Sequence, residues 1–138
     1  MNKEKLLMNF KTIAIALSAI GVLSIPVLSQ AHSSPDEVAV CYSFSGNTLK
    51  KTQSCIVSSG GGAGGMYTNI AVGGKKYSME GPCDNNGNCK FYWNDEPITS
   101  YNRDGTFHHK LTQKEISTAN HLLYCYKTKN GSLDICHN

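Results

Sequence analysis

The sequence predicts a mainly β fold: a small antiparallel sheet curled into a barrel or a sandwich, with one short helix and three disulfides. Short segments rich in β-branched and aromatic residues recur along the chain, and glycine, asparagine or aspartate clusters separate them. This is the pattern of strands joined by turns. The 138 residues also include six cysteines in three close pairs. An even number of cysteines in a short exported chain indicates a disulfide framework.

The beginning of the chain is expected to be an export signal that is removed from the mature protein. Lysines precede an apolar run over residues 12–28, and residues 29–31 (Ser-Gln-Ala) supply the small side chains that signal peptidase requires. The alternative is a retained membrane anchor, which the proline within the run and the cleavage site disfavour. We therefore expect residues 1–31 to be a cleaved signal peptide and residues 32–138 to form a single domain, periplasmic or secreted.

The charge of the predicted mature chain argues against two kinds of partner. Without residues 1–31 the formal net charge falls from +3 to about +1. No basic stripe remains, so binding to nucleic acid has no electrostatic support. No membrane contact is expected of the mature form either.

The first four predicted strands occupy residues 38–44, 49–57, 66–72 and 75–80. Gly46-Asn47 separates the first two, and a glycine tract at residues 60–65 follows the second. Gly73-Gly74 predicts a tight hairpin between the third and the fourth, because glycine adopts the positive φ angles of such turns at little cost.

The second half of the chain predicts further strands at residues 90–93, 98–102 and 106–110 and a final hairpin over residues 122–136. An Asn-Asp-Glu-Pro turn at residues 94–97 joins the first two, and Asp104-Gly105 is a second hairpin signal. A short helix is expected over residues 112–119, since Thr112 and Glu115 have the spacing of a capping box.

The cysteines are expected to pair sequentially, as Cys41–Cys55, Cys83–Cys89 and Cys125–Cys136. Asn130-Gly131 favours a type I′ turn, and in a two-residue hairpin centred there Cys125 lies directly opposite Cys136. By the same count the two cysteines occupy a hydrogen-bonded position, which has the wider Cα spacing. The second pair brackets a loop of turn-forming residues, and the first pair follows by elimination.

Two patterns imitate cofactor and metal sites, and both have a structural interpretation. The glycine tract contains Gly-x-Gly-x-x-Gly, but the helix and the acidic residue of a dinucleotide site do not follow it. His108 and His109 are adjacent, and neighbouring side chains on a strand point to opposite faces. We therefore expect no cofactor and no metal.

The aromatic residues are the main indication of binding. Phe91, Tyr92 and Trp93 cannot all face one side of a sheet, so at least one ring points outward. Exposed Tyr and Trp are enriched in protein-binding hot spots, whereas burial on both faces of a sandwich is the alternative. The candidate partner-binding residues combine Tyr92 with two possible binding loops: Gly60, Gly62, Gly65, Asn85, Asn86 and Tyr92.

A short segment resembles a known family. Gly74-Lys75-Lys76-Tyr77 followed by Tyr92-Trp93 resembles the Gly-x-x-Tyr and later Trp of the periplasmic inhibitors of C-type lysozyme, over residues 74–93. The intervening Cys83–Cys89 loop departs from that pattern. Members of the family are small exported β-barrels that block a hydrolase with a loop, so the resemblance implies that a scaffold of this class suits inhibition.

We expect an exported small binding protein, most concretely a stoichiometric inhibitor or immunity protein that blocks a hydrolase or toxin in the cell envelope. No residue is assigned a catalytic role, although Asp104, Arg103 and His108 or His109 offer an alternative, a small secreted hydrolase or toxin with a ribonuclease-like acid/base site. A second alternative is an accessory subunit of a surface assembly that pairs through strand edges.

Overall fold

Alternating buried and exposed residues build nine antiparallel strands in the computed structural model, which describes residues 31–138. The predicted signal peptide, Ala31 excepted, lies outside the described residues. The strands are β1 (His32–Ser33), β2 (Glu37–Ser45), β3 (Thr48–Gly62), β4 (Gly65–Val72), β5 (Lys75–Pro82), β6 (Phe91–Trp93), β7 (Glu96–Asp104), β8 (Leu122–Thr128) and β9 (Asp134–His137), and the helix is α1 (Gln113–Ile116). Within this part of the chain no helix is both long and apolar enough to cross a membrane.

Strands β2 to β9 close into an eight-stranded barrel. Neighbours follow the order β3-β2-β9-β8-β7-β6-β5-β4, and β4 pairs back onto β3. The length of β3 makes this closure possible, because its first part pairs with β2 and its last part, Ile56 to Gly62, pairs with β4. The two-residue β1 pairs with Gly60 and Gly61 on the edge of β3 that does not pair with β4. Of the two predicted forms, barrel and sandwich, the barrel is the one observed.

The barrel interior is a packed hydrophobic core. Each of the eight barrel strands contributes to it, and its most deeply buried members include Ile70 and Met79, both 0% exposed. Phe91 and Trp93 pack against this core, whereas Tyr92 between them faces outward, as the alternation along the strand requires.

A second core lies on the outer face of the barrel. Cys125 and Cys136 are its centre, and Phe44, Leu123, Tyr42 and Tyr101 complete it. These residues alternate along their strands with those of the interior core, so they lie on the opposite face of the sheet. The segment between β7 and β8 covers them, with His108 against the rings of Tyr42 and Phe44.

All three predicted disulfides are formed: Cys41–Cys55, Cys83–Cys89 and Cys125–Cys136. Cys125 is the register partner of Cys136, as predicted. The turn type is different, because a four-residue loop replaces the two-residue turn and its closing bond runs from Thr128 N–H to the Leu133 carbonyl at 3.0 Å. This change exchanges the hydrogen-bonded and the non-hydrogen-bonded residue pairs along the two strands of the hairpin. The cysteines therefore occupy the narrower kind of site, with a Cα separation of 4.0 Å, and the predicted wider site is wrong.

The segment between β7 and β8 contains the other differences from expectation. Residues 106–110 form no strand, since Asp104 Oδ1 accepts the N–H groups of Thr106 and Phe107 and turns the backbone there. The helix begins at the predicted capping box of Thr112 and Glu115 but ends at Ile116. It is shorter than predicted because the Ser117 hydroxyl bonds back to the Lys114 carbonyl, which competes with continuation of the helix.

A candidate partner-binding face on strands β2 to β6

An apolar row crosses the outer surface of the barrel near the middle of β3. Val38 on β2 lies opposite Ile56 on β3, and Ile56 lies opposite Ala71 on β4. Val38 is 85% exposed and Ile56 is 48% exposed. Lys76 on β5 is the register partner of Ala71 and ends the row with a positive charge. Apolar side chains aligned on adjacent strands form a continuous surface rather than isolated exposed residues.

An aromatic row crosses the same surface farther along β3. Gly60, Tyr67, Glu80 and Tyr92 are successive register partners on β3, β4, β5 and β6. The ring of Tyr67 lies directly on Gly60, because a Cβ placed there would be 2.7 Å from ring atoms of Tyr67. Tyr92 is 36% exposed. Two tyrosines thus flank one carboxylate across adjacent strands of the sheet.

These rows, which together we call the binding face, belong to one side of the barrel. Between them runs a row of small polar residues, Ser58, Asn69 and Ser78. Ile56 and Gly60 are four residues apart on β3, which corresponds to about 13 Å along a strand. The aromatic row spans four strands, about 14 Å at the usual strand spacing. The two rows therefore bound an area of about 200 Å², a quarter of what one partner buries in a standard interface.

The glycine tract borders the binding face, but it is not the loop that the sequence predicted. Gly60 and Gly62 belong to the end of β3 and Gly65 begins β4, so the tract forms a hairpin with Ala63 and Gly64 at its turn. Both turn residues have positive φ angles, 48° and 82°, which fits a type I′ hairpin. A cavity of about 600 Å³ opens beside this hairpin, between His32, Met66, Tyr67 and Glu80.

The second predicted binding loop lies next to the same hairpin. The N–H of Cys83 donates to the Gly64 carbonyl at 2.6 Å, which joins the disulfide loop to the hairpin turn. Inside the loop, Asp84 Oδ1 accepts the N–H groups of Asn86 and Asn88, each at 2.9 Å. Asn85 and Asn86 are exposed at the tip of the loop. The side-chain and backbone hydrogen bonds from Asn88 lower the pKa of Asp84, so the loop carries a fixed negative charge at neutral pH.

The six predicted binding residues are thus brought to one side of the barrel. Gly60 and Tyr92 share the aromatic row, Gly62 and Gly65 flank the adjoining turn, and the two asparagines lie on the loop bonded to that turn. Sequence reasoning missed the apolar row. Its signal was the uninterrupted run Cys55-Ile56-Val57, since alternation requires one of three consecutive strand residues to face away from the core.

The residues of the alternative catalytic site make structural contacts. Arg103 is 0% exposed. Its guanidinium donates to the Tyr101 hydroxyl at 3.1 Å, the His108 carbonyl at 2.8 Å and the Gly46 carbonyl at 2.7 Å. The imidazole of His108 packs on the Tyr42 and Phe44 rings. Arg103 and His108 therefore hold the β7–β8 segment against the outer core.

Asp104 and His109 complete that alternative set. The carboxylate of Asp104 accepts two backbone N–H groups, from Phe107 at 2.6 Å and Thr106 at 2.8 Å, and these bonds lower its pKa. His109 is exposed, and its carbonyl accepts the N–H of Asp104 at 2.9 Å. The Asp104 carboxylate therefore caps the turn, and its charged form is the one that these hydrogen bonds favour.

Within residues 31–138 no three His, Cys, Asp or Glu side chains are grouped closely enough to hold a metal ion. Comparison with known proteins gives no assignment: no family model, no curated protein and no solved structure matches this chain.

Proposed function

We propose that this chain is an exported binding protein that acts as a stoichiometric inhibitor or immunity protein and occludes a hydrolase or toxin reaching the cell envelope. The observation that carries the proposal is the binding face: an apolar row and an aromatic row that share one side of a closed barrel. Three disulfides are consistent with an oxidising extracellular or periplasmic environment.

The composition of the binding face fits a protein partner. Interface centres are enriched in tyrosine and depleted in charged residues, with polar groups at the rim. Here Tyr67, Tyr92 and Ile56 occupy the face. Of its two charged groups, Lys76 ends the apolar row and Glu80 lies between the two tyrosines. Because the rows themselves cover about a quarter of a standard interface, a partner also has to contact the adjoining hairpin and the Asn85–Asn86 loop tip.

Rigidity supports the same conclusion. The rows lie on paired strands of a closed barrel, and the Cys83–Cys89 disulfide fixes the neighbouring loop. A surface that is ordered before association loses little conformational entropy on binding, which favours tight stoichiometric complexes.

The test is a pull-down with the oxidised domain, residues 32–138, as bait against envelope extract and against secretions of competing cells. One partner recovered at 1:1 stoichiometry, with hydrolase or toxin activity that falls on addition of the domain, supports the proposal. The variants Ile56→Asp and Tyr92→Ala should lose the partner. Thr52→Asp, on an exposed β3 position beyond the apolar row, and Tyr124→Ala, an exposed tyrosine on β8, are the matched controls.

Two results would overturn the proposal. Capture that is unchanged by Ile56→Asp and Tyr92→Ala would place the interface elsewhere. Failure to recover any partner at micromolar bait from either source would remove the inhibitor interpretation.

A different result would favour the alternative of an assembly subunit. In that case the domain itself forms oligomers, and a proline introduced into an edge segment abolishes them.

A further inference from the structure

The chain contains two Asn-Gly dipeptides, Asn86-Gly87 and Asn130-Gly131, and both lie in turns. The side-chain amide of an asparagine can react with the backbone nitrogen of the next residue, and glycine favours this reaction because it has no Cβ to hinder the approach. Both asparagines are exposed, so water reaches either one. The two sites share their sequence and their exposure, and they differ in the hydrogen bonds of the asparagine side chain.

The side chain of Asn130 is held by three hydrogen bonds. Its Oδ1 accepts the Thr128 hydroxyl at 2.9 Å and the Ser132 N–H at 2.8 Å. Its Nδ2 donates to Glu96 Oε2 at 3.3 Å. The amide has to give up these bonds before it can turn toward the Gly131 nitrogen, so the folded turn protects it from reaction.

The side chain of Asn86 has no such restraint. The hydrogen bonds of its loop use the Asn86 backbone N–H and the side chains of Asp84 and Asn88. Within the part of the chain that the structure describes, residues 31–138, the Asn86 side-chain amide takes part in none of them. Rotation about its Cα–Cβ bond therefore carries Cγ toward the nitrogen of the next residue, Gly87.

The attacking nitrogens are restrained to the same degree at the two sites. Gly87 N–H donates to the Asp84 carbonyl at 3.0 Å, and Gly131 N–H donates to the Thr128 carbonyl at 3.1 Å. Both glycines have positive φ angles, 82° and 75°, and both are open to approach, since a Cβ at either position would meet nothing within 4 Å. The backbone therefore does not separate the two sites, and the side-chain hydrogen bonds do.

We propose that Asn86 is a site of spontaneous covalent modification, at which the folded domain forms isoaspartate while Asn130 stays intact. The Gly87 nitrogen loses its proton to a base in the solvent and attacks Asn86 Cγ. The new N–C bond closes a five-membered succinimide ring, and the side-chain nitrogen leaves as ammonia. Water then breaks one of the two C–N bonds of the ring: loss of the bond to the backbone carbonyl carbon gives isoaspartate, and loss of the bond to Cγ gives aspartate. Water is the only co-reactant.

The product changes the disulfide-closed loop in two ways. A carboxylate replaces a neutral amide, which adds a negative charge to a loop that already carries Asp84. In isoaspartate the backbone runs through the side-chain carbons, so the chain between Cys83 and Cys89 becomes longer by one methylene group. The bonds from Gly87 N–H and Asn88 N–H to Asp84 lie beyond this insertion and lose their geometry.

The modified loop adjoins the binding face, because Cys83 N–H donates to the Gly64 carbonyl of the neighbouring hairpin turn at 2.6 Å. Conversion of Asn86 therefore alters one border of the face as the protein ages, a consequence that rests on the proposed function. The modification itself is measured without any partner. Its failure and the failure of the inhibitor proposal are thus distinguishable.

The test is incubation of the oxidised domain, residues 32–138, at mildly alkaline pH, followed by peptide mapping with electron-transfer dissociation, which distinguishes isoaspartate from aspartate. We expect isoaspartate to form at Asn86 at least about tenfold faster than at Asn130, because ring closure at Asn130 first has to break two hydrogen bonds to Oδ1. In the reduced chain unfolded in urea, the two dipeptides should react at similar rates.

Two variants test the cause of the difference. Glu96→Ala removes one of the bonds that hold Asn130, so it should speed conversion there about threefold and leave the rate at Asn86 unchanged. Asn86→Gln should abolish conversion at that position, because glutamine has to close a larger ring.

Three results would overturn the proposal. Conversion of Asn130 as fast as that of Asn86 in the folded domain would show that the side-chain bonds give no protection. An intact Asn86 in the folded domain, after a time in which the unfolded chain has reacted, would show that the loop prevents ring closure. Aspartate without any isoaspartate at this position would exclude the succinimide route.

Discussion

The guanidinium carbon of Arg103 lies 4.0 Å from the centroid of the Phe44 ring. Arg103 is on β7 and Phe44 on β2, and β8 and β9 lie between those strands in the barrel. One side chain therefore reaches across two strands and covers the outer core that contains Cys125 and Cys136. A residue whose chemistry suggested catalysis is used to join distant strands.

Replacing Arg103 should destabilise the fold. Arg103→Ala leaves the carbonyls of Gly46 and His108 without their buried donor and removes the contact with Phe44. We expect the free energy of unfolding to fall by about 3 kcal/mol, measured by urea denaturation. Lys114→Ala, an exposed change on α1, should stay within about 0.5 kcal/mol of the parent. Equal denaturation midpoints for Arg103→Ala and the parent would contradict this role.

The turn cap at Asp104 should make the stability of the fold depend on pH. The bonds from Phe107 and Thr106 lower its pKa in the folded state below the ordinary value of 3.8. A carboxyl with a lowered folded-state pKa contributes stability above pH 3.8 and loses that contribution as the pH falls through the folded-state pKa. Asp104→Asn should therefore show a shallower loss of stability than the parent below that pH. If the melting temperatures of Asp104→Asn and the parent fall in parallel as the pH is lowered, the cap contributes nothing to stability.

Two glycines should respond differently to the same substitution. A Cβ at Gly81 would lie 1.7 Å from the Lys90 carbonyl oxygen, whereas a Cβ at Gly64 meets open space and only the positive φ of 82° opposes it. Gly64→Ala should cost about 1 kcal/mol, and Gly81→Ala at least about 3 kcal/mol, because the backbone itself has to move. Chemical denaturation of both variants measures the difference, and a similar cost for the two would contradict the close approach of these chain segments.

The disulfides should differ in their contribution to stability. Cys125 is 1% exposed and Cys136 is 0% exposed, whereas Cys83 and Cys89 are only partly buried. Replacing Cys83 and Cys89 together by alanine should cost about 2 kcal/mol through loop entropy alone. The same change at Cys125 and Cys136 should cost about 4 kcal/mol, because it also removes packing from the outer core. Guanidinium denaturation gives both values, and the reverse order would show that burial does not decide the difference.

The register of the sheet was more predictable from sequence than its loops. Cys125 and Cys136 were placed opposite each other correctly because any loop centred on Asn130 and Gly131 keeps that pairing. The turn type was not predictable, since the Thr128 hydroxyl, which accepts the Leu133 N–H, stabilises a longer loop. Side-chain bonds of this kind depend on neighbours that local propensity does not describe.

The binding face was predictable in part. Alternation around Tyr92 correctly indicated an outward ring, but its alignment with Tyr67 and Gly60 depends on the register of three strand pairs.

The pairing of β2 with β9 has a consequence for how the chain folds. These are the first and the last strands of the barrel, joined through Cys41–His137, Tyr42–Cys136 and Ser43–Ile135 register pairs. The disulfides, by contrast, link residues separated by 14, 6 and 11 positions. Oxidation of Cys41 and Cys83 with their partners can therefore precede closure, which waits for residues near the end of the chain. During synthesis the edge of β2 stays unpaired until β9 arrives, and this late, long-range step should set the folding rate.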